Sequence, residues 1–280
     1  LMGGEIEEMD ARSVGGILGR GGTILGTARA PEFKDLQGRR KALRTLNRFD
    51  IDGLVVIGGN GSLTGALELH RMDFPTIGVP STIDNDINGT DMSIGVDTAL
   101  NTILSAIDKI KDTASSHNRA FLIETMGRNS GYLALASGLA GGAELVLCPE
   151  IESTLEDVAQ TVEEAYIRGK AHAIIVVAEG WEPGTDHIAR ELGRRKDELG
   201  FSVRVTRLGH VQRGGSPSAF DRILATRLGS GAVKQLLKGK SGHMVGWLKS
   251  DFHLTPLEEA VAYQKELDKA LYDLSTIMDK

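Results

Sequence analysis

The apolar positions along the chain follow two rhythms. Short β-branched runs such as "DGLVVIGG" (52–59) and "AHAIIVVAEG" (171–180) alternate with longer stretches in which apolar residues return every third or fourth position. A short continuous apolar run fits a buried strand, and the three-to-four spacing fits an amphipathic helix lying on a sheet. The pattern predicts strands over 52–59, 74–80, 119–125, 143–149, 171–180 and 201–209. Helices are expected over 37–49, 61–71, 94–112, 129–141, 154–169, 186–198, 217–238 and 256–278. Ser216 is the expected N-cap of the seventh, with Pro217 in its first turn. Such alternation is the sequence form of repeated strand-helix units, an α/β fold with largely parallel sheets. No low-complexity linker, internal repeat or Pro-rich hinge marks a domain boundary.

Composition narrows the class. With 280 residues, 41% hydrophobic and 25% charged, the chain can bury one large or two smaller cores. A net charge of −6 argues against a nucleic-acid partner or an anionic membrane surface, while leaving room for a local basic pocket. A single cysteine, Cys148, excludes an internal disulfide framework and a cysteine-based zinc site, and fits a reducing, cytoplasmic location. No run approaches the ~18 apolar residues of a membrane span, and no signal peptide opens the chain.

Against this ordinary background, several loops carry chemistry. "GGNGS" (58–62) ends a strand and opens a helix, so its backbone N–H groups and the helix dipole suit a phosphate; the same glycines also suit a plain tight turn. "RGGTILGTARAPEF" (20–33) is a second glycine-rich turn, in which Arg29 either bridges phosphates or is a solvated surface charge. In "VPSTIDNDI" (79–87), Asp84 and Asp86 stand two apart, and extended alternation would point both to one face at the carboxyl edge of a sheet. Adjacent carboxylates repel unless a cation compensates, so a nucleotide-borne magnesium beside one and a substrate hydroxyl beside the other would use both; turn and N-cap duty is the alternative. "ETMGRNSGY" (124–132) places Arg128 before a helix start, and "RLGHVQRGGSPSAFDR" (207–222) gathers His210 and Arg213 in a glycine loop. Arg119 heads one expected strand and Arg204 lies on the polar side of another. Singly, each arginine also fits a solvated surface.

Together, "IGGNGSLTGA", "STIDNDINGTDMSIGVDTAL", "DTASSHNRAFLIETMGRNSGYLAL" and "LGHVQRGGSPSAFDRILATRLG" resemble, in order and spacing, the 6-phosphofructokinases over almost the whole chain. The resemblance implies two similar three-layer α/β/α lobes with mostly parallel sheets. The larger, nucleotide-binding lobe would span 1–94 plus 208–257, and the smaller, sugar-phosphate-binding lobe 95–207 plus 258–280. It implies transfer of the γ-phosphoryl of MgATP to the 1-hydroxyl of fructose 6-phosphate. Asp84 would be the general base, Asp86 would support magnesium, Thr82 would touch the transferring phosphoryl and Arg128 would stabilise its charge. Arg119, Arg204, His210 and Arg213 would hold the sugar phosphate, and Met126, Gly127 and Glu179 the sugar. In this family Arg119 and Arg204 reach a neighbouring subunit's site, which implies a homo-oligomer, usually a homotetramer. The nucleotide would lie over Arg29, Gly59, Asn60, Gly61, Ser62 and Gly65, and Lys111 and Glu144 fall at the allosteric effector site of bacterial members.

Three departures qualify the resemblance. The family's loop reads Gly-Gly-Asp-Gly-Ser, and Asn60 removes one negative charge from the magnesium site. Pyrophosphate users carry aspartate at the position of Gly61 and lysine at that of Ser81; Gly61 favours ATP, while Ser81 matches neither pattern. The family's opening strand and first Gly-Gly-Asp loop are expected to be missing, which would impair catalysis by this polypeptide. The alternatives are a pyrophosphate-dependent phosphofructokinase and a non-catalytic subunit that binds sugar phosphates. An NAD kinase would account for the glycine loop but not for "STIDNDI" or "GHVQRGG".

Overall fold

Each run of hydrophobic residues named above becomes an element. The computed structural model describes residues 1–115 and 119–278; residues 116–118 of the third motif and 279–280 of the expected smaller lobe lie outside the described residues. In chain order the helices are α1 (Leu36–Arg48), α2 (Asn60–His70), α3 (Val96–Ser115), α4 (Tyr132–Ala140), α5 (Leu155–Ile167), α6 (Thr185–Arg194), α7 (Lys196–Leu199), α8 (Ala219–Leu237), α9 (Leu257–Ala262) and α10 (Lys269–Met278). The strands are β1 (Leu54–Gly58), β2 (Thr76–Pro80), β3 (Arg119–Thr125), β4 (Leu145–Leu147), β5 (His172–Ala178), β6 (Ser202–Arg207), β7 (His243–Leu248) and β8 (Asp251–Pro256).

The chain divides into two units, one of Leu1–Thr82, Ile87–Gly95 and Gly215–Lys265, the other of Ile83–Asp86, Val96–Gly214 and Glu266–Lys280. The first holds a sheet of order β1-β2-β7-β8 in which only the β7–β8 pair is antiparallel. Leu63, Ala66 and Leu67 of α2 and Leu257 and Ala260 of α9 cover one face with Met244. Leu224, Leu228 and Ala232 of α8 cover the other with Ile77, Val79 and Val245. Every residue of β2 is buried, and Gly78 is required there because a Cβ would lie 2.6 Å from Leu63.

The second unit holds an all-parallel sheet of order β4-β5-β3-β6. Ala120, Leu122, Ile175 and Val177 pack with Val158, Val162, Ile188 and Leu192 of α5 and α6. Gly138 lets α4 sit on the sheet, since a Cβ there would meet Val146 at 2.4 Å. Cys148 is buried, and burial with the nearby Glu150 carboxylate pushes its thiol up to about 12, so it stays protonated and is no nucleophile.

Several boundaries differ from the sequence expectation. The N-cap of α8 is Ser218, whose hydroxyl accepts the Asp221 N–H at 3.2 Å, and not Ser216; both serines satisfy the cap pattern, but Asp221 follows Ser218 by three. The expected 256–278 helix is two, α9 and α10, and 186–198 is likewise split into α6 and α7. Strands β7 and β8 lie where no strand was expected, because "HMVGWL" and "DFHLTP" mix polar and aromatic residues without a clean apolar run. The segments 83–86 and 208–214 belong with the second unit, and residue 95 and 258–265 with the first, against the expected lobes.

Candidate active site

In the first unit, β1 ends at Gly58 and α2 begins at Asn60 on the N-cap Gly59, which makes no side-chain cap hydrogen bond. The turn is tight: a Cβ on Gly58 would lie 2.5 Å from the Ser62 hydroxyl, and Ser81 N–H donates to Gly58 O at 2.9 Å. Thr82 sits against Gly59, 3.4 Å from the position its Cβ would take. Gly61 faces open space where a Cβ would stand, with no other part of the chain within 4 Å of that point. Gly65 packs beneath Phe33, and Arg29 lies on the exposed 20–30 segment, which is pinned where Gly21 meets Gly215.

The second unit brings three loops together at the carboxyl ends of β5, β3 and β6. Met126–Arg128 follow β3, with Gly127 at φ +144° and Arg128 at φ +53°, a left-handed conformation that a side-chain-bearing residue holds only when its surroundings enforce it. Here they do. The Glu179 carboxylate, just beyond β5, accepts the Gly127 N–H at 3.2 Å and the Arg128 N–H at 2.8 Å. Gly180 leaves room for the Arg128 carbonyl, which would lie 2.0 Å from a Cβ. Gly180→Ala is therefore expected to displace the Arg128 backbone, lowering Tm and lowering kcat by about tenfold or more. Equal kcat in a steady-state assay would mean that Arg128's placement does not matter.

Asp84 is 4% exposed, and its carboxylate lies 3.5 Å from the Arg128 guanidinium. Asp86 is half-buried. The strand alternation expected to turn both carboxylates one way is absent, because Asn85 between them has φ +50° and the segment is an irregular turn. His210 and Arg213 are exposed on a 3₁₀ turn, Gly209–Arg213, that follows β6. Between them the buried Gln212 bonds the Met126 N–H, a contact that the sequence did not flag because a glutamine in a glycine-rich loop reads as surface.

The sequence profile described as phosphofructokinase matches residues 1–236. An ATP-dependent 6-phosphofructokinase of Shouchella clausii (strain KSM-K16) is 52% identical over 98% of this chain and 85% of its own length. The chain belongs to the phosphofructokinase family. Among solved structures, phosphofructokinase of Pichia pastoris in the T-state superposes with a TM-score of 0.84 at 36% identity, covering 98% of this chain and 31% of the other. A pyrophosphate-dependent phosphofructokinase from Marinobacter aquaeolei gives 0.75 at 25% identity, covering 89% and 68%.

Other expected site residues of the chain lie elsewhere. Arg119 is the first residue of β3, so the strand's seven residues, about 23 Å at ~3.3 Å each, separate it from the Met126–Arg128 loop. Arg204 is opposite Phe121, near the same end, and donates to its neighbour's carbonyl, Val203 O, at 3.0 Å. Lys111 donates to the carbonyls of Gly141 and Gly142 at the end of α4, where a cation complements the helix dipole. The Glu144 carboxylate accepts from Ile174 N–H and from Lys170 Nζ, at 3.2 Å in the latter case. The sequence also missed Arg207, which joins Glu124 at 3.2 Å to Asp186.

Proposed function

We propose that this chain transfers the γ-phosphoryl group of ATP to the 1-hydroxyl of fructose 6-phosphate, the committing phosphorylation of glycolysis. The observation that carries this reading is the Asp84–Arg128 pair at the carboxyl ends of the parallel strands, a buried acceptor of protons beside an exposed fork of N–H donors. Asp84 takes the proton of the 1-hydroxyl as its oxygen bonds to the γ-phosphorus. The bond to the β-γ bridging oxygen breaks, ADP leaves, and Arg128 balances charge on the equatorial oxygens. Thr82 bonds the moving phosphoryl, His210 and Arg213 hold the sugar's phosphate, and Met126, Gly127 and Glu179 line the sugar.

The donor phosphates lie over Gly59, Asn60, Gly61, Ser62 and Gly65, with Arg29 above them. The open space at Gly61 favours a nucleotide over pyrophosphate. Mg²⁺ would arrive on the nucleotide, since that ion needs only one or two protein carboxylates besides phosphate oxygens. Asp86 supplies one, and the uncharged Asn60 adds at most a neutral ligand. When bound, Mg²⁺ neutralises charge between the β- and γ-phosphates.

The far placement of Arg119 and Arg204 supports a homo-oligomer, a homotetramer on this reading, in which these arginines serve another copy's sugar phosphate. Lys111 would exchange its present carbonyl partners for the anionic groups of an effector, and Glu144, which now accepts from the Ile174 N–H and Lys170, would accept the effector's hydrogen-bond donors or face a cation it carries. A cytoplasmic location accords with a glycolytic substrate, and no helix among the described residues is long and apolar enough to cross a membrane.

A coupled assay offering ATP or pyrophosphate with fructose 6-phosphate tests the reading. ATP-dependent formation of the bisphosphate is expected. Product from pyrophosphate alone would reassign the donor, and tight fructose 6-phosphate binding without turnover would make the chain a regulatory subunit.

A further inference from the structure

The turn that carries His210 and Arg213 contains a polar side chain that faces inward. Gln212 is 1% exposed while its neighbours Val211 and Arg213 are exposed. Its carboxamide is satisfied at both ends: Oε1 accepts the Met126 N–H at 3.2 Å and Nε2 donates to Gly209 O at 2.9 Å. Flipping the amide would set donor against donor and acceptor against acceptor, so these two partners fix its orientation. The partners belong to different loops. Met126 opens the loop that carries Arg128, and Gly209 opens the turn that carries His210 and Arg213. The ladder between β3 and β6 ends with Glu124 opposite Arg207, and Leu208 N–H donates to Glu124 O at 3.1 Å. Gln212 carries the connection past that point. With Glu179 on the next two amides, three consecutive N–H groups, those of Met126, Gly127 and Arg128, are held by side chains from the loops after the two flanking strands.

We infer that Gln212 is a positioning residue for the sugar-phosphate site. It fixes the His210–Arg213 turn against the Arg128 loop, so that the groups on the sugar's phosphate and the group at the transferring phosphoryl keep one spacing. The inference rests on the fructose 6-phosphate reading above. The side chain's requirements are strict: a glutamate keeps the acceptor but has no proton for Gly209 O when ionised, an asparagine is one methylene short, and an apolar residue deprives the buried Met126 N–H of this acceptor and Gly209 O of this donor.

Calorimetric titration of fructose 6-phosphate and of ATP into the protein and two variants tests it. Gln212→Met preserves side-chain length and removes both hydrogen bonds. The expected result is a fructose 6-phosphate Kd raised about tenfold or more, the scale of a small misplacement of binding groups, with the ATP Kd within about twofold. Gln212→Glu restores the bond from Met126 alone and is expected to fall between Gln212→Met and the parent. Fructose 6-phosphate affinity within twofold of the parent in Gln212→Met would overturn the inference, as would a parallel loss of both affinities, which signals general destabilisation. A parent that binds ATP but no fructose 6-phosphate would overturn the substrate reading and this inference with it, an outcome distinct from both.

Discussion

Asp84→Asn is expected to lower kcat by about a thousandfold, within the range for loss of a positioned general base, while the KM for fructose 6-phosphate changes less than about threefold. The substitution is nearly isosteric, and the site is 4% exposed, so the packing around residue 84 is retained. What disappears is basicity: a carboxamide cannot take up the proton that the 1-hydroxyl must shed as its oxygen bonds to phosphorus. It also removes the charge opposite the Arg128 guanidinium, 3.5 Å away, but that guanidinium is 67% exposed in its side chain, so water compensates it and the fold loses little. Steady-state kinetics with both substrates varied separates the two contributions. A change confined to KM would show that Asp84 binds the sugar without acting as its base.

The six strands expected from apolar runs all form: β2, β3 and β5 are buried nearly throughout and read as continuous apolar runs, while β1 and the partly exposed β6 were legible from their β-branched residues alone. The pair β7 and β8 was illegible for the converse reason. "HMVGWL" is buried at Met244 and Val245, but its His243, Trp247 and Leu248 are half-buried, and in "DFHLTP" exposed residues alternate with half-buried ones up to Thr255. Their hairpin is specified by tertiary contact with β2 and α8, which local periodicity does not encode. The site was legible as motifs and not as geometry. Arg128 of "MGRNSG" follows Asp84 of "VPSTIDNDI" by 44 positions, and only the fold sets Arg128 on Asp84. The left-handed backbone at Asn85 and Arg128 was invisible because neither residue is glycine, and the cause in the second case, a carboxylate from Glu179 and a missing Cβ at Gly180, comes from the turn after a different strand. Gln212 was hidden in the same way: its motif was quoted, but burial inside a 3₁₀ turn depends on Met126 reaching it.

Arg128→Gly is expected to reduce kcat by about a thousandfold, at the lower end of what an arginine serving a phosphoryl transition state contributes, with the KM for ATP nearly unchanged. Glycine is the informative replacement because residue 128 sits at φ +53°. A Cβ in that region costs about 1 kcal/mol, so glycine relieves strain while it deletes the guanidinium, whereas Arg128→Ala keeps the strain. The glycine variant is thus expected to melt no lower than the parent, which dissociates catalysis from stability in a single substitution. The Glu179 carboxylate still accepts the N–H groups of residues 127 and 128, and Gly180 still clears the carbonyl, so the loop keeps its path. Arg128→Lys restores a positive charge without the planar fork that spans two phosphate oxygens, and its kcat is expected to lie between the two. Turnover by Arg128→Gly within about threefold of the parent would place the guanidinium outside the reacting centre and reduce its contact with Asp84 to a surface ion pair, which is worth little.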